Sequence, residues 1–352
     1  MLNFFNDIVQ EDMKDIYEQK ILFDKLKNKS VLITGATGML AIYMIYFLYY
    51  LNKNKGSNIK IYALARNKKK VEEVFKILVD DKNFLFVNQD VTKEILIDEK
   101  IDYIFHFASS ANPKNISENP VEIIKANTLG TINICELALK NKALVFFAST
   151  REIYGKIEEK EFVKESDMGV CDCLEDRACY PESKRISETI CKSYNLQYKM
   201  RYQICRIAHV YGPGMNIDND GRIMSDIISD IVNNRNIILK SDGSAQRAFC
   251  YLSDAVRAIF LILLNGKEND VFNLSNEEEE ISIKNLAKLG AQLFLEKNIK
   301  IEYQISNNNN NLYTNYKRSK LDNSKLYELG WRIKIDLKSG IRKTVLSFLY
   351  NE

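Results

Sequence analysis

The sequence predicts an α/β protein: a doubly wound parallel sheet with helices on both faces, a smaller interleaved C-terminal α/β region, and a helical N-terminal extension. Three observations carry that prediction. Short runs rich in β-branched and aromatic residues ("SVLIT", "IKIYALA", "FLFVNQD", "IDYIFHFAS", "ALVFFAS") are each separated by a stretch able to form a helix. The first of them ends in glycines that feed directly into an apolar helix, "TGATGMLA". Beyond about residue 206 the alternation loosens, so the remaining chain is organised differently.

The elements follow in order. Residues 1–28 carry Phe5, Ile8, Met13, Ile16 and Tyr17 at roughly helical spacing, which predicts one or two helices ahead of the main fold. The longest apolar run, "MLAIYMIYFLYYL" from Met39 to Leu51, is too short to span a bilayer and reads as a buried helix. Its aromatic stretch Tyr43 to Tyr50 is core on this reading, not a stacking platform for bases. Residues 178–190, "ACYPESKRISETI", form an amphipathic helix. Later, "RIMSDIISDIVNN" reads as a helix, "NIILK" as a short strand, and "YLSDAVRAIFLILLNG" as a helix with an aspartate near its start. "NEEEE" and the run Asn307 to Asn311 read as surface loops, since like charges repel and polyasparagine builds no core. The first domain is expected over 29–206, with roughly 236–264 returning to it, and the second over 207–235 and 265–352.

Composition narrows the class. At 352 residues the chain can bury a sizeable core, and 46% hydrophobic residues, 28% charged residues and a net charge of +3 are ordinary for a soluble globular protein. Nothing in that balance demands nucleic acid or a membrane. The opening "MLNFFNDIVQEDMKD" lacks a basic start followed by an apolar stretch, so no export signal is expected. Seven scattered cysteines without a CxxC pair, and only two histidines, predict reduced thiols in a cytoplasm and no metal site. The tightest group, Cys171, Cys173 and Cys179, is read as free thiols.

At the strand-to-helix turn, Gly35, Gly38 and Ala41 leave room for backbone amides and the positive helix end to approach a pyrophosphate. This is a Rossmann-type feature, and it makes 29–206 the dinucleotide-binding domain. The acid that would hold a ribose hydroxyl is missing at the end of the second strand, where Arg66 stands with Lys68, Lys69 and Lys70 behind it. A guanidinium there would pair with a 2′-phosphate, so NADP stays open beside NAD; a solvated basic loop explains the same residues equally well. Asp90, after the third strand, can accept from an adenine amino group. His106 ends an apolar strand and is expected to pack under the cofactor. Tyr180 and Lys184 are four apart on a helix, so a phenol and an ammonium share one face.

The motifs "TGATGMLA", "QDVT", "HFASS", "ANTLGT", "FFASTREIYG", "YPESK", "RIAHVYGPGM" and "QRAFCYLSDAVRAI" occur in the order found in extended short-chain dehydrogenase/reductases that rework nucleotide sugars. The chain resembles that family from about Ser30 to about Ala258, with a weaker echo in "KLYELGW". Through "ASTREIYG", "RACYPESKR", "DGRIMSD" and "GSAQRAFCYLSD" it is most similar to UDP-glucuronate decarboxylases. The resemblance implies transient oxidation of a sugar hydroxyl by a tightly held nicotinamide. Tyr180 as phenolate would take the hydroxyl proton, Lys184 would lower its pKa and hold the cofactor ribose, and Thr150 would hydrogen-bond the same hydroxyl. Glu152 would act after oxidation.

By the same resemblance, Gly35, Thr37, Gly38 and Met39 would cradle the dinucleotide, Arg66, Asp90, Val91 and Ala108 would line it, and Asn127 would support the site. Ser110, Arg151 and His209 would contact substrate, with Arg206, Arg222 and Arg247 supplying charge for a nucleotide diphosphate. Two positions depart from the family pattern. Arg151 replaces the aspartate of 4,6-dehydratases, and a guanidinium cannot donate a proton near neutral pH, which weakens dehydration; decarboxylases carry serine there, so Thr150 and Glu152 agree with them while Arg151 departs. His209 stands where relatives carry asparagine, implying an altered pocket. The expected activity is therefore decarboxylation or epimerisation of a nucleotide sugar, with a 4,6-dehydratase third and net-turnover alcohol dehydrogenation a further outcome. The rival from another class is a non-catalytic dinucleotide-sensing protein. A homodimer is implied by analogy.

Overall fold

The computed structural model describes residues 2–19, 21–157, 160–218, 220–305 and 319–350; the asparagine run 307–311 lies outside them. Seven strands form one parallel sheet: β1 (Ser30–Thr34), β2 (Lys60–Ala65), β3 (Phe84–Asn88), β4 (Tyr103–His106), β5 (Leu144–Thr150), β6 (Arg201–Ile207) and β7 (Asp270–Leu274). Their order is β7-β6-β5-β4-β1-β2-β3. The chain begins in the middle, winds outward to β3, then crosses back to β4 on the other side of β1. That reversal opens a crevice beyond the carboxyl ends of β1 and β4, where ligands bind in folds of this kind.

Successive strand residues serve opposite faces, which is why the strands read as continuous apolar runs. Val31, Ile33, Phe105 and Phe146 enter one core; Leu32, Ile104, Val145 and Phe147 enter the other. The first core is covered by α2 (Met39–Lys55), whose middle is buried on every side. It carries no amphipathic stripe because it packs on the sheet, on the N-terminal helix α1 (Asp7–Tyr17) and on a later helix. The second core is covered by α3 (Pro120–Asn141) and α4 (Cys179–Tyr198), which lie against each other.

The N-terminal extension is fastened by more than apolar contact. Asp12 on α1 is fully buried and accepts from the phenols of Tyr43, at 2.5 Å, and Tyr251, at 2.8 Å, and from Lys343 Nζ at 2.8 Å. Burial raises its pKa, opposed chiefly by Lys343. These partners place tyrosines in α2 for a structural reason, and Tyr43 is core as the sequence indicates.

The second region is built from α5 (Ile223–Val232), α7 (Ile283–Leu293) and α8 (Leu337–Leu349) around Ile227, Ile228, Leu286 and Ile341. Between them in the chain, α6 (Leu252–Asn265) leaves to pack beneath the central sheet. The returning segment, expected over roughly 236–264, is α6, with β7 following it. Strand Ile237–Leu239 finds its parallel partner in Ile301–Tyr303 and so stays in the second region, whereas β7 pairs with β6. "NEEEE" is also more than a solvated loop. Glu277 accepts from Leu321 N at 2.9 Å, Glu279 from Leu337 N at 2.8 Å, and Glu280 pairs with Lys320 at 3.6 Å, so the run secures the C-terminal segment. Among the described residues no helix is long and apolar enough to cross a membrane.

Candidate active site

The crevice starts at the glycine turn. Gly35 has φ +65, and a Cβ there would lie 2.9 Å from Ala108 Cα, so only glycine lets β1 and the end of β4 approach this closely. Gly38 begins α2 with no side-chain cap, leaving the first-turn amides for a ligand to satisfy. Thr37 is half-buried beside it, and Met39 packs toward both the sheet core and the second-region core. Thr34 closes the floor: its hydroxyl accepts from Phe107 N at 3.2 Å and Ala108 N at 3.1 Å and bonds His106 Nδ1 at 2.8 Å. Burial, then the charge of Lys184, pull the His106 pKa down to about 3, so this is a neutral imidazole packed under the crevice.

Asn127 joins α3 to α4, donating from Nδ2 to Ser183 Oγ at 2.8 Å, while its backbone carbonyl accepts from Ser187 Oγ at 2.7 Å. Its side-chain oxygen is buried without a partner among the described residues, an acceptor that a bound donor would satisfy. Val91 seats against Gly130, where a Cβ would come within 2.9 Å of Val91 Cγ1, and this fixes the loop bearing Asp90. Asp90 lies 3.6 Å from Arg66 and accepts from Thr92 N at 2.9 Å. Burial works against the Asp90 carboxylate, but Thr92 and Arg66 outweigh it and hold the pKa low. The glycine turn, the uncapped helix start and the orphaned acceptor together fit a dinucleotide.

Thr150, at the end of β5, accepts from Glu152 N at 3.2 Å. Tyr180 and Lys184 stand on α4 and are both buried, at 5% and 3% exposure. Burial first, then Glu152, push the phenol above its ordinary value; a hydrogen bond from Thr150 and the charges of Arg177 and Arg222 pull down without prevailing. Burial of an anion outweighs what these partners return, and the phenol's pKa stays above its ordinary value. Lys184 lies one helical turn after Tyr180 on the same face. Its ammonium donates to Ala148 O at 2.7 Å and sits 4.6 Å from the centre of the Phe147 ring, and the cations offsetting the phenol are Arg177 and Arg222. Burial brings the Lys184 pKa down to about 7, with Glu188 opposing.

Glu152 faces Arg177, whose Nη2 reaches both carboxylate oxygens, at 3.0 and 2.9 Å. Arg177 is absent from the residues expected at the site, although it lies in the quoted motif "RACYPESKR", three positions before Tyr180. Arg222 grips the buried Asp220 at 2.6 and 2.7 Å and projects its remaining charge toward the phenol. Arg206 must be corrected. Its guanidinium bonds Glu188 at 3.1 and 2.7 Å, Tyr154 Oη at 2.9 Å and Glu165 O at 2.8 Å, so it locks β6 to α4 instead of facing a diphosphate.

The remaining candidates lie toward the second region. Arg151 reaches Ser319 O at 3.2 Å, and Arg247 is half-buried and donates to Gln246 O at 2.8 Å. His209 is exposed, with φ +43 and its ring 5.8 Å from that of Phe249. Ser110 Oγ accepts from Asn115 Nδ2 at 3.0 Å. The three clustered cysteines are unbonded, and no group of metal-ligating side chains occurs among the described residues.

Comparison with known proteins places this geometry. The profile of the NAD dependent epimerase/dehydratase family matches residues 31–275. UDP-glucuronic acid decarboxylase 3 of Arabidopsis thaliana is 32% identical over 317 residues, covering 89% of this chain and 87% of that protein. Among solved structures, UDP-glucose 4-epimerase of Thermotoga maritima superposes with a TM-score of 0.77 at 22% identity, covering 92% of this chain and 99% of that one. UDP-glucuronic acid 4-epimerase of Bacillus cereus, solved with UDP-glucuronic acid and NAD, gives 0.76 at 19%, covering 92% and 100%. The structural likenesses establish the fold. With the profile spanning most of the residues that build the crevice, the chain belongs to the NAD dependent epimerase/dehydratase family.

Proposed function

We propose that this protein is an NAD-dependent nucleotide-sugar enzyme that decarboxylates a nucleotide uronate after transient oxidation of a ring hydroxyl. One observation carries the reading: Thr150, Tyr180 and Glu152 converge, placing a carboxylate beside the phenol with no second acid next to it in the chain, since Arg151 occupies that position. The name of the Arabidopsis relative and the NAD in the Bacillus cereus structure support the choice of reaction and cofactor.

The glycine turn and the start of α2 would hold the pyrophosphate, Asp90 the adenine end, and Lys184 and Asn127 the nicotinamide end. Bound there, NAD supplies reversible acceptance of a hydride and a positive charge. As the phenolate, favoured by the positive charge of the bound cofactor, Tyr180 would receive the proton of the sugar hydroxyl at Oη, oriented by Thr150. A carbonyl at ring position four makes the neighbouring carboxylate a β-keto acid: the bond to the carboxyl carbon breaks, its electron pair moves toward the carbonyl oxygen, and carbon dioxide leaves. Glu152, in its protonated form, would deliver a proton to the ring carbon that lost the carboxyl group, and the hydride would return to the ring-four carbon as Tyr180 gives its proton back to the oxygen. Arg222 and Arg247 would supply charge for the nucleotide diphosphate.

Incubation with UDP-glucuronic acid, UDP-glucose and dTDP-glucose, read by product mass, tests this. Loss of carbon dioxide from the uronate is expected; loss of water from a hexose or an unchanged mass would replace the reading with dehydration or epimerisation. The chain is further proposed to be a homodimer, because α3 exposes Val121, Ile124 and Leu129 and α4 exposes Ile186 and Leu196. A monomeric mass by light scattering would reject that.

A further inference from the structure

Arg177 pairs with Glu152 at the crevice and has so far been given no part in recognising substrate. Its backbone is anchored at the head of α4, where Arg177 O accepts from Tyr180 N at 3.1 Å, so its side chain is tethered next to the phenol. From there it reaches back to Glu152, but through Nη2 alone. Nε and Nη1 have no partner among the described residues, although a guanidinium presents five donors in a planar fork suited to two carboxylates. The pair is open to solvent, at 41% side-chain exposure for Arg177 and 39% for Glu152, unlike the enclosed Arg206–Glu188 pair at 6% and 12%. An enclosed, saturated pair is structural. An open, half-used one next to a buried phenol is placed to meet something anionic.

A carboxylate entering beside Tyr180 would also meet Glu152, and like charges repel unless a cation stands between them. Arg177 is already paired with Glu152 and tethered three residues before Tyr180, so its cation is at hand for such a carboxylate. Arg222 is less available, since Nε and Nη2 are both engaged by Asp220 and only Nη1 is left. We propose that Arg177 is the specificity residue for the sugar carboxylate, using its uncommitted Nε and Nη1 edge for the substrate while Nη2 keeps Glu152 in place. This rests on the nucleotide-uronate reading. It adds that discrimination between a uronate and a neutral hexose is set at this guanidinium.

The test is calorimetric titration of UDP-glucuronic acid and of UDP-glucose into wild type, Arg177→Gln and Arg177→Lys. A charge-assisted hydrogen bond corresponds to about 10–100-fold in affinity. Wild type is expected to prefer the uronate, Arg177→Gln to lose about that factor for the uronate alone, and Arg177→Lys, which keeps charge but not the fork, to fall between. UDP-glucose affinity unchanged to within about twofold reports an intact fold and diphosphate site. Equal losses for both ligands would make Arg177 a positioning residue and overturn the assignment. Preference retained in Arg177→Gln would also overturn it while leaving the decarboxylase reading intact. If wild type shows no preference for the uronate, the functional reading fails first and the assignment with it.

Discussion

At the dinucleotide end of the crevice the decisive feature is missing side-chain matter: a Cβ on Gly35 would come within 2.9 Å of the Ala108 backbone, and Gly38 leaves helix amides uncovered. At the sugar end the decisive features are charges held by other charges, Glu152 by Arg177 and Arg222 by Asp220. The first end works by shape, is set by backbone, and leaves little freedom. The second works by pairing and can be re-paired by whatever enters. Binding of the dinucleotide and chemistry on the sugar are thus separable, and mutations at each end are expected to break one without the other.

The largest effect is expected at Tyr180. Tyr180→Phe keeps the buried ring and removes only the atom that takes the proton, so turnover is expected to fall by about 10²–10⁴-fold. Dinucleotide affinity, read by fluorescence titration, is expected to stay near wild type. Gly35→Ala is the reciprocal change. A positive φ and a 2.9 Å contact against backbone strain the turn, with a cost of about 1–3 kcal/mol, or roughly 5–150-fold in dinucleotide affinity if the strain falls on the binding geometry. If Tyr180→Phe released the dinucleotide as strongly as Gly35→Ala does, the two ends would be one coupled site and the contrast would be wrong.

The same contrast explains what could be read from the sequence. The alternation of apolar runs and the glycine turn are local patterns, and the sheet follows them strand by strand, because a parallel strand buried on both faces has few other ways to look. Tyr180 and Lys184 were legible because helical spacing places them together. Arg206 misled because an arginine at the end of a strand reads alike whether it faces an opening or a partner. Its partner Glu188 is on a helix 18 positions away. Arg177 was missed for a related reason: the carboxylate it holds is 25 positions away, and nothing in either segment announces the pairing. The return of α6 and β7 to the sheet depended on which partner each short strand found, a non-local choice.

The smallest effect is expected where the cofactor end borrows the logic of the sugar end. Arg66 and Asp90 are a charge pair at 3.6 Å with side-chain exposures of 74% and 35%, at a place where the rest of the site relies on shape. Exposed pairs of this kind contribute about 0–1 kcal/mol, so Arg66→Ala is expected to alter NAD affinity by no more than about fivefold. NADP separates the two readings of the basic loop. If the guanidinium serves a 2′-phosphate, the mutant loses several-fold more affinity for NADP than for NAD, since a charge-assisted contact is lost for one ligand only. If it serves Asp90, both affinities move together and by little. Its engagement with Asp90 and the NAD named for the family favour the second outcome. Paired titrations of both dinucleotides into wild type and Arg66→Ala decide it, and a selective loss of NADP affinity would return this end of the crevice to recognition by charge.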